Sequence, residues 1–158
     1  MKQLKIIDDN GQADIQLIRD FEKEYNITLP NSYVELISKH NGLRLYNNRF
    51  DFINLDGLIS STDIYFLSFG DDFSENMADF QWCGDSYSYE NLVLFGVTAY
   101  GDSICFDYRP DLSTNNPPVR LMRHEDTFIN QYGQDKNIVF PIANSFDEFL
   151  DMLYEESE

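Results

Sequence analysis

Apolar side chains recur at helical spacing in three segments, two near the start of the chain and one near its end. Segment 13–25 carries one apolar stripe with polar residues opposite it, which predicts an amphipathic helix. Segment 29–42 predicts a second helix, with Pro30 in its first turn and a stop at Asn41-Gly42; a capping box at Ser32 is an alternative start. Segment 145–154 predicts a closing helix that begins with a capping box of its own.

Between these helices, β-branched and aromatic residues form short runs bounded by turn residues. They predict strands at 50–53, 64–69, 92–97, 103–108, 119–123 and 138–142. The Gly101-Asp102 turn joins two of these strands into a β-hairpin. Two helices, several strands and a last helix predict an α+β fold, in which a mostly antiparallel sheet of about six strands carries the two N-terminal helices and the C-terminal helix.

The length of 158 residues suits a single domain that spans residues 1–158. We see no apolar run long enough for a signal peptide or a membrane span, so we expect a cytoplasmic protein. Cys83 and Cys105 form no CxxC pattern. Two reduced thiols are the favoured reading, and a disulfide between them stays open.

The charge balance changes the picture most, because 28 acidic residues face 11 basic ones and give a formal net charge of −17. Binding to nucleic acid or to an anionic membrane needs clustered Lys and Arg, so we expect neither partner. A basic partner is favoured electrostatically, although an acidic surface also serves solubility. From Phe50 to Tyr108 the chain carries eleven acids and no Lys or Arg.

Segment 71–90 has neither helical nor strand periodicity and predicts a long acidic loop with room for a short helix. An aromatic pair within it, Phe80 and Trp82, either anchors a partner or pins the loop to the core. The loop is our candidate partner-binding site. Its candidate residues are Asp71, Asp72, Glu75, Asp79, Trp82, Asp85 and Glu90.

A catalytic site is not expected, although Gly101-Asp102-Ser103 resembles the nucleophile motif of trypsin-like proteases. The two glycines that would follow Ser103 are absent, and the geometric roles of a triad cannot be filled locally by the two histidines of the chain, His40 and His124. Ser103 is instead read as the first residue of a strand. The segments 8–11 and 123–126 lack the ligand spacing of calcium and zinc sites, so we expect no metal and no cofactor.

Three pieces of the sequence occur in an order that resembles the SUKH superfamily. They are LPNSYVELISKHNG at 29–42, LFGVTAYGDSICFDYR at 94–109 and IANSFDEFLDML at 142–153. Leu43 stands where the family often has a second Gly, and segment 71–90 matches no family motif. The matching positions, read as structural, are Leu29, Pro30, Tyr33, Asn41, Gly42, Gly96, Gly101, Asp102, Asp107, Ala143, Ser145, Phe146, Phe149 and Leu150.

The resemblance implies a bent, mostly antiparallel sheet with helices packed against it, in agreement with the order of elements. It also implies a binding function, because bacterial members are similar to immunity proteins that neutralise a cognate toxin, often a nuclease. We therefore expect a non-enzymatic immunity protein that binds a basic, nuclease-type toxin domain. The alternative is a protein-interaction or regulatory module without a toxin partner, as in the family's fungal cell-wall assembly regulator.

Overall fold

The computed structural model describes residues 3–81 and 87–156 and shows the α+β fold predicted from the sequence. Its helices are α1 (Ile15–Tyr25), α2 (Asn31–Lys39), α3 (Met77–Phe80) and α4 (Phe146–Met152). Its strands are β1 (Ile6–Asp8), β2 (Arg44–Leu45), β3 (Arg49–Ile53), β4 (Ile59–Asp63), β5 (Tyr65–Phe66), β6 (Leu92–Val97), β7 (Ser103–Asp107), β8 (Val119–Ile129) and β9 (Asp135–Ala143).

The strands form one antiparallel sheet of five, in the order β5-β6-β7-β8-β9, and two antiparallel pairs, β1-β2 and β3-β4. The mostly antiparallel sheet is confirmed, but the described residues hold nine strands rather than about six. The missed strands lack an apolar signal. β1 and β2 are too short to show alternation, and β4 reads ISSTD, with a single aliphatic residue.

Three predicted strands also differ clearly in length from those observed, and one of them is β9, which covers Asp135–Ala143 instead of 138–142. Segment 64–69 contributes only β5 to the main sheet, because the chain leaves β6 at Ser68, whose N–H donates to the Glu75 carbonyl. In contrast, β8 continues to Ile129, six residues past its predicted end. Residues 124–129 are exposed and polar in part, so burial gave no signal there.

Helix boundaries follow the capping chemistry with two corrections. Ser145 Oγ accepts the Glu148 N–H at 3.1 Å, which confirms the closing capping box. The second helix begins at Asn31 with Pro30 as its N-cap residue, and the Ser32 alternative is not used. The closing helix ends at Met152, because Tyr154 instead exchanges backbone hydrogen bonds of 3.0 and 2.9 Å with Arg49 of β3.

The core is built around aromatic rings that contact each other. The rings of Phe95 and Phe106 stack with centroids 4.1 Å apart, and α4 places Phe146 and Phe149 edge-on against Phe95. Phe146 and Phe149 are fully buried, and each such side chain contributes about 1.5–3 kcal/mol by leaving water. This core fixes α4 on the sheet. None of the helices within 3–81 and 87–156 has the length and apolar character to cross a bilayer.

Candidate functional site

A cleft of about 750 Å³ lies between residues 72–75 and the turn that joins β6 to β7. Asp72 and Glu75 line one side, and Thr98 and Ala99 line another. We call this the acidic cleft, and we call residues 70–81 the acidic loop. Along the sequence the loop and the hairpin are separate regions, whereas in the fold residues of both line the same cleft.

The acidic loop is held at its start by a side-chain amide. Asn41 Oδ1 accepts the Phe69 N–H, and Asn41 Nδ2 donates to the Phe69 carbonyl, both at 2.8 Å. Asn41 is buried, so these two bonds satisfy its amide away from water. Gly42 follows at φ +60°, and a Cβ at this position would collide with the Ser68 side chain. The Asn41-Gly42 turn, which lies just beyond the end of α2 at Lys39, therefore fixes where the loop begins.

A second amide holds the far end of the loop. Gln81 Nε2 donates to the Leu94 carbonyl at 2.6 Å, and the Leu94 N–H donates to Gln81 Oε1 at 2.9 Å. Between the clamps, Asn76 caps α3 by accepting the Asp79 N–H at 2.8 Å. The short helix that the sequence allowed is therefore present. A loop clamped in this way can present its charges without ordering first.

The carboxylates of the loop face solvent. Asp71, Asp72, Glu75 and Asp79 are all exposed, and none forms an ion pair with any residue in the described part of the chain. Asp79 Oδ2 accepts only the Asn76 amide, at 2.9 Å. Four charges on one short loop repel each other, and salt screens that repulsion only in part.

The other three candidate residues do not join this cluster in the described structure. Glu90 is exposed in the turn before β6 and does not line the acidic cleft. Trp82 and Asp85 lie outside the described residues, as does Cys83. The question of whether Trp82 anchors a partner or pins the loop therefore stays a prediction. Phe80 is half-buried and packs against the core.

One cleft residue was missed from the sequence. Arg44, on β2, lines the acidic cleft together with Asp72 and Glu75. Its nearest acidic partner is Asp8, whose Oδ2 lies 3.5 Å from the Arg44 guanidinium, and both side chains are more than half exposed. Arg44 lies six residues before the cation-free stretch, so a count of charges along the sequence does not place it in this cleft.

Three acids of the cation-free stretch serve the fold and do not face a partner. Asp63, Asp102 and Asp107 are buried, at 7%, 5% and 3% exposure. Each lies beside an arginine from outside the stretch. The distances are 4.0 Å for Arg49–Asp63, 3.3 Å for Arg123–Asp102 and 2.9 Å for Arg109–Asp107. A buried carboxylate needs such a partner, whereas the four loop acids do not.

Asp102 of the Gly-Asp-Ser triplet pairs with His124 of β8, but Ser103 does not complete a triad with them. Asp102 Oδ1 accepts both the His124 backbone N–H at 3.1 Å and His124 Nδ1 at 2.7 Å. Ser103 pairs with Met122 in the sheet and is 3% exposed, so a substrate could not reach its hydroxyl. Gly101, at φ +90°, allows the tight turn and lies against the His124 ring. Asp102 therefore ties β8 to the turn, which explains its place in the motif.

Metal binding finds no support in the described residues, where no three His, Cys, Asp or Glu side chains are grouped to hold an ion. Asp9, in the segment that begins like a calcium loop, instead accepts the Gly11 N–H and lies 2.7 Å from His40 Nδ1. The hydrogen bond with His40 lowers the pKa of Asp9 below its usual value. These contacts attach the N-terminal segment to the end of α2.

Comparison with known families gives one match. The model of the SMI1 / KNR4 family (SUKH-1) matches residues 12–152, which includes all of the motif positions and the acidic loop. No curated protein and no solved structure matches the chain.

Proposed function

The chain belongs to the SMI1 / KNR4 family (SUKH-1), and from that premise we propose that it is a cytoplasmic immunity protein. It binds a cognate toxin domain with a basic surface, of the nuclease type, and neutralises it without catalysis. The observation that carries this proposal is the set of four exposed loop carboxylates, without cationic partners in the described structure, beside the acidic cleft.

The chemistry of the loop suits a nuclease. A nuclease binds nucleic acid through a cationic groove, and clustered carboxylates can take the positions of phosphates there. The Asn41 and Gln81 side chains hold the two ends of the loop, so binding need not order the loop backbone first. Inhibition then needs only occupation of the groove.

The first experiment identifies the partner. A tagged copy of the chain is used to capture proteins from the native cell. Recovery of a basic toxin domain supports the proposal, and recovery of signalling or wall-assembly proteins instead selects the non-toxin interaction module.

The second experiment tests the loop. We expect the variant Asp71→Asn, Asp72→Asn, Glu75→Gln and Asp79→Asn to keep its fold, because exposed charges contribute little to stability. It should associate with the captured toxin about tenfold more slowly at low salt, and the salt dependence of its association rate should shrink. Protection in a toxin-challenge assay should weaken in parallel.

A matched control removes four exposed acids from other surfaces: Glu35, Asp135, Asp147 and Glu156. Wild-type association in the loop variant would remove the loop from the interface. An equal loss in this control would show that net charge, and not the loop, sets the association rate. The non-catalytic assignment has its own check. Ser103→Ala should leave protection unchanged, and loss of protection in a folded Ser103→Ala protein would restore a catalytic reading.

A further inference from the structure

A second groove, of about 420 Å³, lies on the other side of the β6–β7 turn. The β3–β4 hairpin contributes Phe52 and residues 60–62, and β8 contributes residues 123–125. Tyr100 and Asp102 lie at the turn between them. We call this the β4 groove. It shares no lining residue with the acidic cleft.

One wall of this groove is a strand edge with unused backbone groups. Asn48 pairs with Ile64 and Asn54 with Leu58 through backbone hydrogen bonds. In an antiparallel pair the hydrogen-bonded positions alternate, so Ser61 falls at a position where N–H and C=O point away from β3. The backbone N–H and C=O of Ser61 make no hydrogen bond with any residue in the described ranges. On the outer edge of β3, by contrast, the outward backbone groups of Arg49 are paired with Tyr154.

The opposite wall is also a strand edge. β7 begins at Ser103, which pairs with Met122, so β8 continues past that point without a neighbouring strand on this side. The only group that covers this edge among those described is Asp102, which accepts the His124 N–H. The groove is therefore bounded by two edges, and strand edges bind extended chains through their backbone.

Two buried polar atoms in the groove lack hydrogen-bond partners. Thr62 is 5% exposed, and its hydroxyl makes no hydrogen bond within the described structure. Arg123 Nε lies 3.3 Å from Asp102 Oδ2, but the direction of its N–H does not satisfy a hydrogen bond. Buried polar groups are nearly always paired, so these two atoms point to a ligand that supplies polar atoms at the groove.

The surroundings of the groove define the chemistry of that ligand. Four exposed acids surround the groove in segments 49–63 and 123–126: Asp51, Asp56, Glu125 and Asp126. Asp63 and Asp102 are buried beside Arg49 and Arg123 and are not open to a ligand. Four aliphatic side chains at the tip of the β3–β4 hairpin are more than half exposed. They are Ile53, Leu55, Leu58 and Ile59. A second copy of this chain would place like charges together, whereas a strand that carries Lys or Arg beside aliphatic residues matches both features.

We propose that the outer edge of β4 binds an extended segment of a cationic partner protein by β-strand addition. The segment hydrogen-bonds to the Ser61 backbone, places its aliphatic side chains against the hairpin tip, and directs its cations toward the surrounding carboxylates. The proposal does not rest on the proposed function, because strand addition here requires neither the acidic loop nor a toxin.

The probe is a blocked octapeptide of alternating lysine and valine, with binding measured by NMR titration. We expect shifts in β4 and at 123–126, with binding weakened about tenfold or more by Ser61→Pro, which removes the outward N–H. Ser61→Val is the matched control, because it loses the same hydroxyl but keeps the N–H, and it should bind like wild type. The loop variant with four neutralised acids should also bind like wild type.

A peptide with N-methylated amides on its edge-facing side should not bind wild-type protein, and this readout holds even where Ser61→Pro fails to fold. Four results would each overturn the proposal. They are no binding at about 1 mM peptide, equal binding of the N-methylated peptide, equal binding of a glutamate–valine peptide, and a dimer in sedimentation that Ser61→Pro dissociates.

Discussion

Replacing Asp107 with asparagine removes one negative charge from the cation-free stretch. Each change in the loop variant also removes one charge, but Asp107 is buried whereas the loop acids are exposed. Asp107 accepts Arg109 Nε at 2.9 Å, Arg109 Nη2 at 3.0 Å and the Arg109 backbone N–H at 3.0 Å. Arg120 Nε lies 3.5 Å from its second oxygen. An asparagine keeps one acceptor and turns an N–H₂ group toward the other guanidinium donors.

The expected cost follows from these contacts. Hydrogen bonds to charged groups contribute about 1.5–3 kcal/mol each, and asparagine loses the charge on one side and the acceptor on the other. The two arginine side chains are 33% and 22% exposed, so both can recover part of this loss by turning toward water. We therefore expect Asp107→Asn to lower the free energy of unfolding by about 2–3 kcal/mol.

Guanidinium chloride unfolding at pH 7, followed by far-UV circular dichroism, measures this difference. The loop variant, which changes four acids instead of one, should stay within about 0.5 kcal/mol of wild type. In a double-mutant cycle, Arg109→Gln should cost less when Asp107 is already Asn. A stable Asp107→Asn protein, or additive effects in the cycle, would contradict the structural role of the buried Asp107.

Three further predictions concern the core and the β4 groove. Phe149→Ala should cost about 3–5 kcal/mol in the same unfolding assay, because its fully buried ring leaves a cavity against Phe50 and Phe95; wild-type stability would mean that α4 does not pack. Thr62→Val should raise the free energy of unfolding by about 1 kcal/mol, since it removes a buried hydroxyl without a hydrogen bond in the described structure, and a loss of stability would reveal a partner for that hydroxyl. Burial raises the pKa of Tyr33 above its usual value of 10.0, so the folded state keeps this proton longer than the unfolded state and stability must fall as pH rises above about 10. Absorbance near 295 nm should then show Tyr33 ionising only together with unfolding, and its ionisation in the folded protein would contradict its burial.

The fold could be predicted where burial leaves a periodic trace. α1 and α4 each bury one side, and their apolar spacing gave their positions to within a turn. β6 and β7 gave equally clear signals, because they lie inside the main sheet. β4 could not be found in this way, because its serine and threonine side chains show no apolar alternation and only its pairing with β3 makes it a strand.

The acidic loop could be located from composition, but the groups that hold it could not. Asn41 acts across 28 residues and Gln81 across 13, and neither carries a sequence signal for that contact. The turn chemistry of Asn41-Gly42 predicted a helix stop there, but it gave no indication that the Asn41 side chain holds Phe69. Arg44 reaches the cleft through the β1–β2 pair, a contact that no local pattern indicates.

The acids between Phe50 and Tyr108 show why counting charges along the sequence does not identify which of them are exposed in the fold. Between Phe50 and Tyr108 the chain has no Lys or Arg, which along the sequence resembles one continuous acidic surface. In the fold, Arg49, Arg109 and Arg123 come from outside this stretch and lie beside Asp63, Asp107 and Asp102. A buried acid must find its cation for the chain to fold, so the fold itself separates these three from the rest. The loop acids remain exposed between two amide clamps, where each charge changes stability only slightly and needs no cation for the chain to fold.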